Sequence, residues 1–258
     1  MNDDLYEALS LLLSSSIPSD LDAAQEQSYV TYNLSLLAKD VSKPPAITLR
    51  ESRNLLAASG TTGLRTWEAA LHFGNYLITN ASIIVDGKSV LELGAGTGYL
   101  SVLCAKHLGA SYVLATDGSE EVVDGLHTSI YLNDMQSSSK AEAKELKWGH
   151  PLLGGEEPEW NGGHKIDLVI GADITYYESG IPALLSTFDN VFELYPDVKI
   201  IIAATIRNEE TFKTFSEKCT LWGFLIDEVY FPLIDAKSQQ GPFYDDKVPI
   251  KIMNIRKG

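Results

Sequence analysis

From Lys88 onward, short apolar runs alternate with longer segments in which apolar residues recur every three or four positions. Apolar runs of this length are typical of buried strands, and the longer periodic segments are typical of amphipathic helices. The predicted strands are 90–93, 112–116, 142–146, 166–172, 199–204, 225–231 and 250–255. The predicted helices between them are 98–108, 120–133, 181–194 and 209–222.

Strands that are apolar throughout and separated by helices favour a parallel sheet that helices cover on both faces. No helix separates the last two predicted strands, so we expect this pair to be antiparallel. The pattern therefore predicts an α/β fold with a Rossmann-like sheet of seven mostly parallel strands.

The first 45 residues have a different pattern and predict an N-terminal helical extension to a domain that spans residues 46–258. Helical periodicity runs through a first piece that contains Leu5 and Leu9, and it returns over residues 21–38. Pro44 and Pro45 end this second helix, because proline forces extended backbone on the residue before it.

The segment that follows predicts a short hairpin and then a helix. Ile47 and Leu49 would lie on one hairpin strand and Leu55 and Leu56 on the other. The helix is expected to begin near Thr66, where helical periodicity resumes.

The charge of the chain narrows the partners that we expect. Its 258 residues include 20 Lys and Arg against 35 Asp and Glu, a formal net charge of −15 at pH 7. A protein that binds nucleic acid needs a basic surface to neutralise phosphates, so we expect no nucleic-acid partner. An acidic field suits a basic substrate better, such as a protein surface that carries lysine.

The sequence also predicts where the protein resides and what it lacks. Asp3, Asp4 and Glu7 stand where a signal or transit peptide is basic, and no run approaches the roughly 20 apolar residues that span a bilayer. We therefore expect a cytoplasmic monomer with no membrane partner. Cys104 and Cys219 are the only cysteines, and neither they nor the scattered histidines have the spacing of a disulfide framework or a metal site.

A glycine-rich segment at 92–98, with the sequence E-L-G-A-G-T-G, joins the strand at 90–93 to the helix at 98–108. Gly94 and Gly96 have no Cβ, so the backbone can turn sharply and approach a ligand closely. A tight strand–helix connection would need such glycines as well. However, Gly98 follows Gly96 by two residues rather than the three of the dinucleotide pattern. This spacing, with the acidic Glu92 before it, resembles motif I of the methyltransferases.

Two further candidate residues follow the next strands. Asp117 ends the strand at 112–116, about 20 residues beyond the glycines, where a carboxylate accepts hydrogen bonds from ribose hydroxyls in nucleoside-binding folds. Its alternative role is to cap the next helix. Trp148 lies just past the strand at 142–146 and can stack on an adenine ring, although a tryptophan there also fills cores.

Asp173 and Tyr176 come directly after the most apolar strand, 166–172. Polar residues at the carboxyl end of such a strand face the ligand when the strand lies at the switch point of an open sheet. Asp173 could instead cap a turn or a helix.

Together, the segment 92–98, Asp117, Trp148-Gly149 and the D-x-x-Y sequence of Asp173 to Tyr176 resemble the protein-lysine methyltransferases of methyltransferase family 16. Within that family, segments 59–71 and 205–212 are similar to the branch that methylates translation elongation factor 2. The resemblance covers residues 50–233 and implies a class I, S-adenosylmethionine-dependent protein-lysine N-methyltransferase with elongation factor 2 as its partner. One departure is Glu68, where relatives often have Asp.

The resemblance also implies roles for single residues. The implied cofactor contacts are Trp67, Glu92, Gly94, Ala95, Gly96, Asp117, Trp148 and Ala172. Asp173 and Tyr176 match the signature motif that handles the methyl acceptor. We expect Asp173 to hold the acceptor ammonium before its proton leaves and Tyr176 to present its ring to that cation.

Two other functions stay open from the residues alone. A fold of this kind serves many acceptors, so a methyltransferase of another protein or of a small molecule is one alternative. A nucleotide-binding oxidoreductase is the second, and the spacing of Gly98 and the lack of a Tyr-x-x-x-Lys sequence argue against it.

Overall fold

The structure is a computed structural model that describes residues 27–40, 42–52, 62–152 and 160–258, together with Tyr6, Leu9, Ser10 and Ser14. Two strands, β1 (Gln27–Asn33) and β2 (Ala46–Ser52), pair antiparallel and form a small sheet of their own. The strands of the central sheet are β3 (Ser89–Leu93), β4 (Tyr112–Asp117), β5 (Ala141–Glu145), β6 (Leu168–Ala172), β7 (Lys199–Thr205), β8 (Phe224–Val229) and β9 (Ile250–Lys257).

Six α-helices are present in the described part of the chain. They are α1 (Glu68–Thr79), α2 (Ala81–Ile84), α3 (Tyr99–Val102), α4 (Glu120–Leu132), α5 (Ile181–Leu194) and α6 (Glu209–Leu221). Helix α3 continues as one π-helical turn over Leu103–His107, and single 3-10 turns occupy Ser35–Leu37 and Glu178–Gly180.

The central sheet has the strand order β5-β4-β3-β6-β7-β9-β8. The five strands from β5 to β7 pair in parallel, and β9 pairs antiparallel with both β7 and β8. The predicted Rossmann-like sheet of seven mostly parallel strands is therefore confirmed, as is the antiparallel pairing of the last two strands. The insertion of β9 between β7 and β8 was not predicted.

Alternate side chains of β7 show that helices cover both faces of the sheet. Ile200 and Ile202 pack into the core that α5 and α6 cover. Ile201 and Ala203 point the other way, into the core that α1 and α3 cover together with β2. Since every second residue of a strand lies on the same face, a continuous apolar run is what a strand buried on both faces requires.

The predicted helix over residues 21–38 is wrong, because its described part forms β1 and a single 3-10 turn at Ser35–Leu37. Residues 27–33 form β1, and a strand over this stretch agrees with its content of β-branched and aromatic residues, which fit a pleated surface. Ile47 and Leu49 do lie on a strand, but its partner is β1 rather than a segment that follows. Leu55 and Leu56 lie outside the described residues.

The remaining N-terminal predictions have a limited outcome. Of the first predicted helix, Tyr6, Leu9, Ser10 and Ser14 are described and have helical backbone, and its other residues lie outside the described part of the chain. The division of the chain at residue 45 stays a prediction. Among the described residues, no helix is long and apolar enough to cross a membrane.

The connection between β8 and β9 packs against α1 through a buried histidine. Nδ1 of His72 lies 3.0 Å from the Tyr244 hydroxyl, and Nε2 lies 3.2 Å from the Phe231 carbonyl oxygen. A carbonyl oxygen only accepts, so Nε2 carries a hydrogen, and in the neutral ring Nδ1 then accepts from the tyrosine. Burial disfavours the charged ring and lowers the pKa of His72 below its usual 6.5, although the hydrogen bond to Phe231 opposes this shift.

The folded state should consequently lose stability as the pH falls below 6.5. A histidine with a lowered pKa in the folded chain binds its proton more readily in the unfolded chain, so its full contribution is present above pH 6.5 and is lost on acidification. We expect the free energy of unfolding, measured with urea between pH 7.5 and 5.5, to fall less steeply in His72→Phe than in wild type. The difference is at most about 1.4 kcal/mol per pH unit. His127→Gln, at an exposed position of α4, is the control, and equal slopes for His72→Phe and wild type would contradict the assignment.

Candidate active site

A cavity of about 660 Å³ opens at the carboxyl ends of β3, β4, β6 and β7. From β3 the chain proceeds to β4 and β5 on one side and later to β6 and β7 on the other, so the strand order reverses at β3. Loops diverge at such a switch point and leave a crevice, which is where open α/β sheets bind ligands.

All ten predicted site residues line this cavity. They are Trp67, Glu92, Gly94, Ala95, Gly96, Asp117, Trp148, Ala172, Asp173 and Tyr176. The structure thus brings together residues from four strand ends and from the loop before α1.

The glycine-rich loop after β3 lies close to residues that follow β5 and β6. Gly94 and Gly96 have φ angles of +65° and +54°, in the left-handed region that favours glycine. A Cβ on Gly94 would lie 2.7 Å from Cγ2 of Ile174 and 3.3 Å from Cζ2 of Trp148. The absence of that Cβ keeps the loop close to the tryptophan, whose ring also packs against the core beneath α5. Trp148 is therefore both a core residue and a wall of the cavity.

Asp117 holds two loops together at the end of β4. Its Oδ2 accepts from the Gly96 N–H at 3.2 Å, and its Oδ1 accepts from the Ser119 N–H at 3.2 Å. Burial raises the pKa of the Asp117 carboxyl, and these N–H groups oppose the rise. The N-cap residue of α4 is Ser119, so the structure does not place Asp117 at the helix cap, and its carboxyl faces the cavity instead.

Glu92 lies beneath the loop and is almost fully buried. Its carboxyl accepts a hydrogen bond from the Ser101 hydroxyl, and burial raises its pKa to about 8. At neutral pH most of this carboxyl is therefore protonated, and it adds little negative charge to the floor of the cavity.

The carboxylate of Asp173 ties the ends of β6 and β7 together. Its Oδ1 accepts from the Thr205 N–H at 2.7 Å, and its Oδ2 accepts from the Thr205 hydroxyl at 3.0 Å. Burial raises the pKa of Asp173, and the Thr205 N–H and the Arg207 charge oppose the rise. The next helical turn begins at Glu178 with Tyr177 as its N-cap, so Asp173 caps no helix there. Its φ of +52° is uncommon for a residue other than glycine, and such backbone strain concentrates at functional sites.

Arg207 is a site residue whose contacts the sequence did not predict. Its Nη1 lies 3.4 Å from Oδ2 of Asp173, and its Nη2 lies 2.7 Å from Oε2 of Glu68. Its guanidinium carbon lies 4.8 Å from the centre of the Trp67 ring, a cation–π distance. Arg207 thus joins the start of α1 to the ends of β6 and β7 across the mouth of the cavity.

Two adjacent tyrosines also line the cavity. The side chains of Tyr176 and Tyr177 are 54% and 43% exposed, and their ring centres lie 5.0 Å apart at 51°. Large aromatic residues with this exposure at a cavity mouth can cover a substrate side chain and shield it from water.

The residues of the cavity fit S-adenosylmethionine. A buried carboxyl stands where it can accept from ribose hydroxyls, an indole ring can stack on adenine, and a loop without Cβ atoms leaves room beside both. The volume lies within the range of small-molecule sites. Among the residues described, no group of three or more His, Cys, Asp or Glu side chains is placed to hold a metal ion.

Comparisons with known proteins point to one family. A family profile described as lysine methyltransferase matches residues 49–220. Protein-lysine N-methyltransferase EFM3 from Chaetomium thermophilum is 54% identical over 257 residues, which cover 100% of this chain and 76% of the relative. The protein of the same name from Saccharomyces cerevisiae is 32% identical and covers 92% of this chain and 68% of its own length. Human protein-lysine N-methyltransferase EEF2KMT is 27% identical, with coverage of 81% and 64%.

Solved structures agree on the fold. A SAM dependent methyltransferase from Aquifex aeolicus superimposes with a TM-score of 0.50 at 16% identity, covering 72% of this chain and 90% of that one. The methyltransferase domain of bacterial CtHen1 also gives a TM-score of 0.50, at 14% identity and with 73% and 98% coverage. Likeness at this identity shows a shared architecture and no more.

A Cβ on Gly94 would collide with neighbouring side chains. A substitution at Gly94 should therefore weaken cofactor binding by more than backbone strain alone would. Gly94→Ala should weaken the binding of S-adenosylhomocysteine, the cofactor without its methyl group, by more than about tenfold, because the new Cβ displaces Ile174 and Trp148. Gly87 has a similar φ of +70° but open space around its Cβ position. Gly87→Ala should therefore cost about 1–2 kcal/mol of stability and change the affinity less than twofold. Calorimetric titration of both variants checks this, and equal affinities would refute it.

Proposed function

Because this chain belongs to the lysine methyltransferase family, we propose that its substrate is a lysine of translation elongation factor 2. The chain is an S-adenosylmethionine-dependent protein-lysine N-methyltransferase. The identity of the acceptor and the roles of single residues are the proposed part.

One observation carries the choice of acceptor. Segments 59–71 and 205–212 are the two that resemble the branch acting on elongation factor 2, and their described residues meet at the mouth of the cavity. The contact is made by Arg207, which pairs with Glu68 and lies over the ring of Trp67. These two segments distinguish this branch of the family from others, and they lie where we expect the acceptor to enter. They therefore support the acceptor on which the branch acts. The names of the three relatives, each a protein-lysine N-methyltransferase, support a lysine within a protein.

We assign the cofactor to the part of the cavity around β3 and β4. Asp117 would accept hydrogen bonds from the ribose hydroxyls, and Trp148 would stack on the adenine. The remainder of the cofactor would be enclosed by Trp67, Glu92, Ala172 and the loop from Gly94 to Gly96. When bound, S-adenosylmethionine supplies a methyl group that is already activated by the positive sulfur.

The site must then hold the substrate lysine in the correct place and favour its neutral amine. A lysine ammonium has a pKa near 10.4 in water, and burial beside a positive charge lowers it. Thr205 and Arg207 already donate to the Asp173 carboxylate, so we propose that its remaining lone pair holds the ammonium until the proton leaves. Tyr176, with Tyr177 beside it, would present a ring face to the methylated nitrogen and limit the entry of water.

The acceptor can be identified directly. The purified protein is incubated with radiolabelled S-adenosylmethionine and an extract of cells that lack the endogenous enzyme, and labelled proteins are identified by mass spectrometry. We expect one labelled band, elongation factor 2, with the label on lysine. Asp117→Ala in the same extract gives the background. Label on a different protein or on a small molecule would overturn the choice of acceptor.

Removal of the Asp117 carboxylate and removal of the Asp173 carboxylate should affect different steps, cofactor binding in the first case and turnover in the second. We expect Asp117→Ala to weaken the binding of S-adenosylhomocysteine by about 10- to 100-fold, because hydrogen bonds to a charged group are lost. Asp173→Ala should abolish methyl transfer and leave that affinity within about threefold of wild type. Asp124→Ala, at an exposed position of α4, controls for the loss of a carboxylate. Equal loss of binding and turnover in both site variants would exclude this division of roles.

A further inference from the structure

A buried chain of hydrogen bonds connects the β1–β2 strand pair to the glycine-rich loop. The Tyr32 hydroxyl donates to Oε1 of Glu51 at 2.8 Å, and the Thr66 hydroxyl donates to the same oxygen at 2.6 Å. Oγ1 of Thr66 also lies 2.6 Å from Oγ1 of Thr97. Tyr32 and Glu51 belong to β1 and β2, whereas Thr97 lies between the second and third glycines of the loop.

The direction of these hydrogen bonds follows from the number of protons available. A carboxylate only accepts, and a threonine hydroxyl has one hydrogen. Since Thr66 gives its hydrogen to Glu51, the hydrogen between the two threonines comes from Thr97. The Glu51 carboxylate therefore fixes the rotamer of the Thr97 hydroxyl through Thr66.

A second chain of hydrogen bonds reaches the same loop residue through its carbonyl oxygen. The Asn133 side chain accepts from the Thr48 N–H at 3.2 Å and donates to the Thr48 carbonyl at 2.8 Å, so it binds the backbone of β2. It also donates to the carbonyl of Ser129, whose hydroxyl donates to the Thr97 carbonyl at 2.7 Å. Both polar groups of Thr97 that face inward are thus held by chains that begin on one strand pair.

Burial makes these contacts strong. Glu51, Thr66, Thr97, Ser129 and Asn133 are each less than a tenth exposed. Fully paired polar groups in such surroundings rigidify a structure, because breaking one contact leaves an unpaired group away from water. Neither Glu51 nor Asn133 lines the cavity, whereas Thr66 and Thr97 do, so any influence of Glu51 on a ligand passes through Thr66 or, beyond it, through the loop.

We propose that the β1–β2 strand pair positions the glycine-rich loop for the cofactor, with Glu51 as the positioning residue. The glycines give the loop many accessible backbone conformations, and a loop that must be ordered on binding costs affinity. The two chains of hydrogen bonds hold the loop in one conformation before the cofactor binds. This role is independent of which protein accepts the methyl group.

The full chain, titrated with S-adenosylhomocysteine in a calorimeter, tests the proposal without any acceptor. Glu51→Ala should raise the dissociation constant by about tenfold, the effect of one or two buried hydrogen bonds. Thr31→Val is the matched control, because its hydroxyl pairs with that of Thr48 at 3.0 Å on the exposed face of the same strand pair. This variant should bind within about twofold of wild type. Near-ultraviolet circular dichroism confirms that each variant is folded at the temperature of the titration.

A double-mutant cycle separates positioning through the loop from a general loss of structure. If Glu51 acts through Thr97, Glu51→Ala should weaken binding by less than about twofold when Thr97→Val is already present. An equal factor in both backgrounds would overturn the proposal. If Glu51→Ala does not fold, Tyr32→Phe removes only the outermost donor, and its smaller effect should likewise vanish beside Thr97→Val. Undiminished affinity in every single variant would also overturn it.

Discussion

The parallel pairing of β3 with β4 on one side and β6 on the other determines where the glycine-rich loop, Asp117 and Asp173 stand. Parallel strands end at a common edge, and here that edge carries the glycine-rich loop, Asp117 and Asp173 in successive positions. The central strands are mostly apolar and covered on both faces, so the sheet offers a ligand few polar side chains beyond Glu92 in β3 and Asp117 at the last position of β4. The chemistry is therefore concentrated at the carboxyl ends of the strands and in the residues that follow them, and the sheet supplies their spacing.

At the ends of β6 and β7, the second organising group is the carboxylate of Asp173. It receives hydrogen bonds from the backbone and hydroxyl of Thr205 and an ionic contact from Arg207, which in turn reaches Glu68. A carboxylate enclosed in this way cannot move freely. Its position relative to the glycine-rich loop is therefore set by β6, β7 and α1 together, so residues far apart in sequence jointly fix its two oxygen atoms.

The sequence was most informative where local pattern and tertiary environment agree. The central strands are buried on both faces and so appear as apolar runs, and the site residues follow those runs at positions that the parallel sheet brings together. The sequence was misleading over residues 27–33, where its helical periodicity predicts a helix but pairing with β2 produces a strand. It was silent on the contact of Arg207 with Glu68, because 139 residues separate them and neither pattern nor propensity connects them. The two chains that end at Thr97 were hidden for the same reason.

The position of β9 has a consequence for how the chain is made. Among the described strands, β8 is hydrogen-bonded to β9 and not to β7, which precedes it. A ribosome delivers residues in order, so β8 leaves the exit tunnel without a partner and waits for the 20 residues of the connection and then for β9. Until that strand arrives, β7 has an open edge, and open edges attract the strands of other chains. The half of the sheet that contains β7 is therefore the last to be completed during synthesis, and a nascent chain needs protection from its neighbours during that interval.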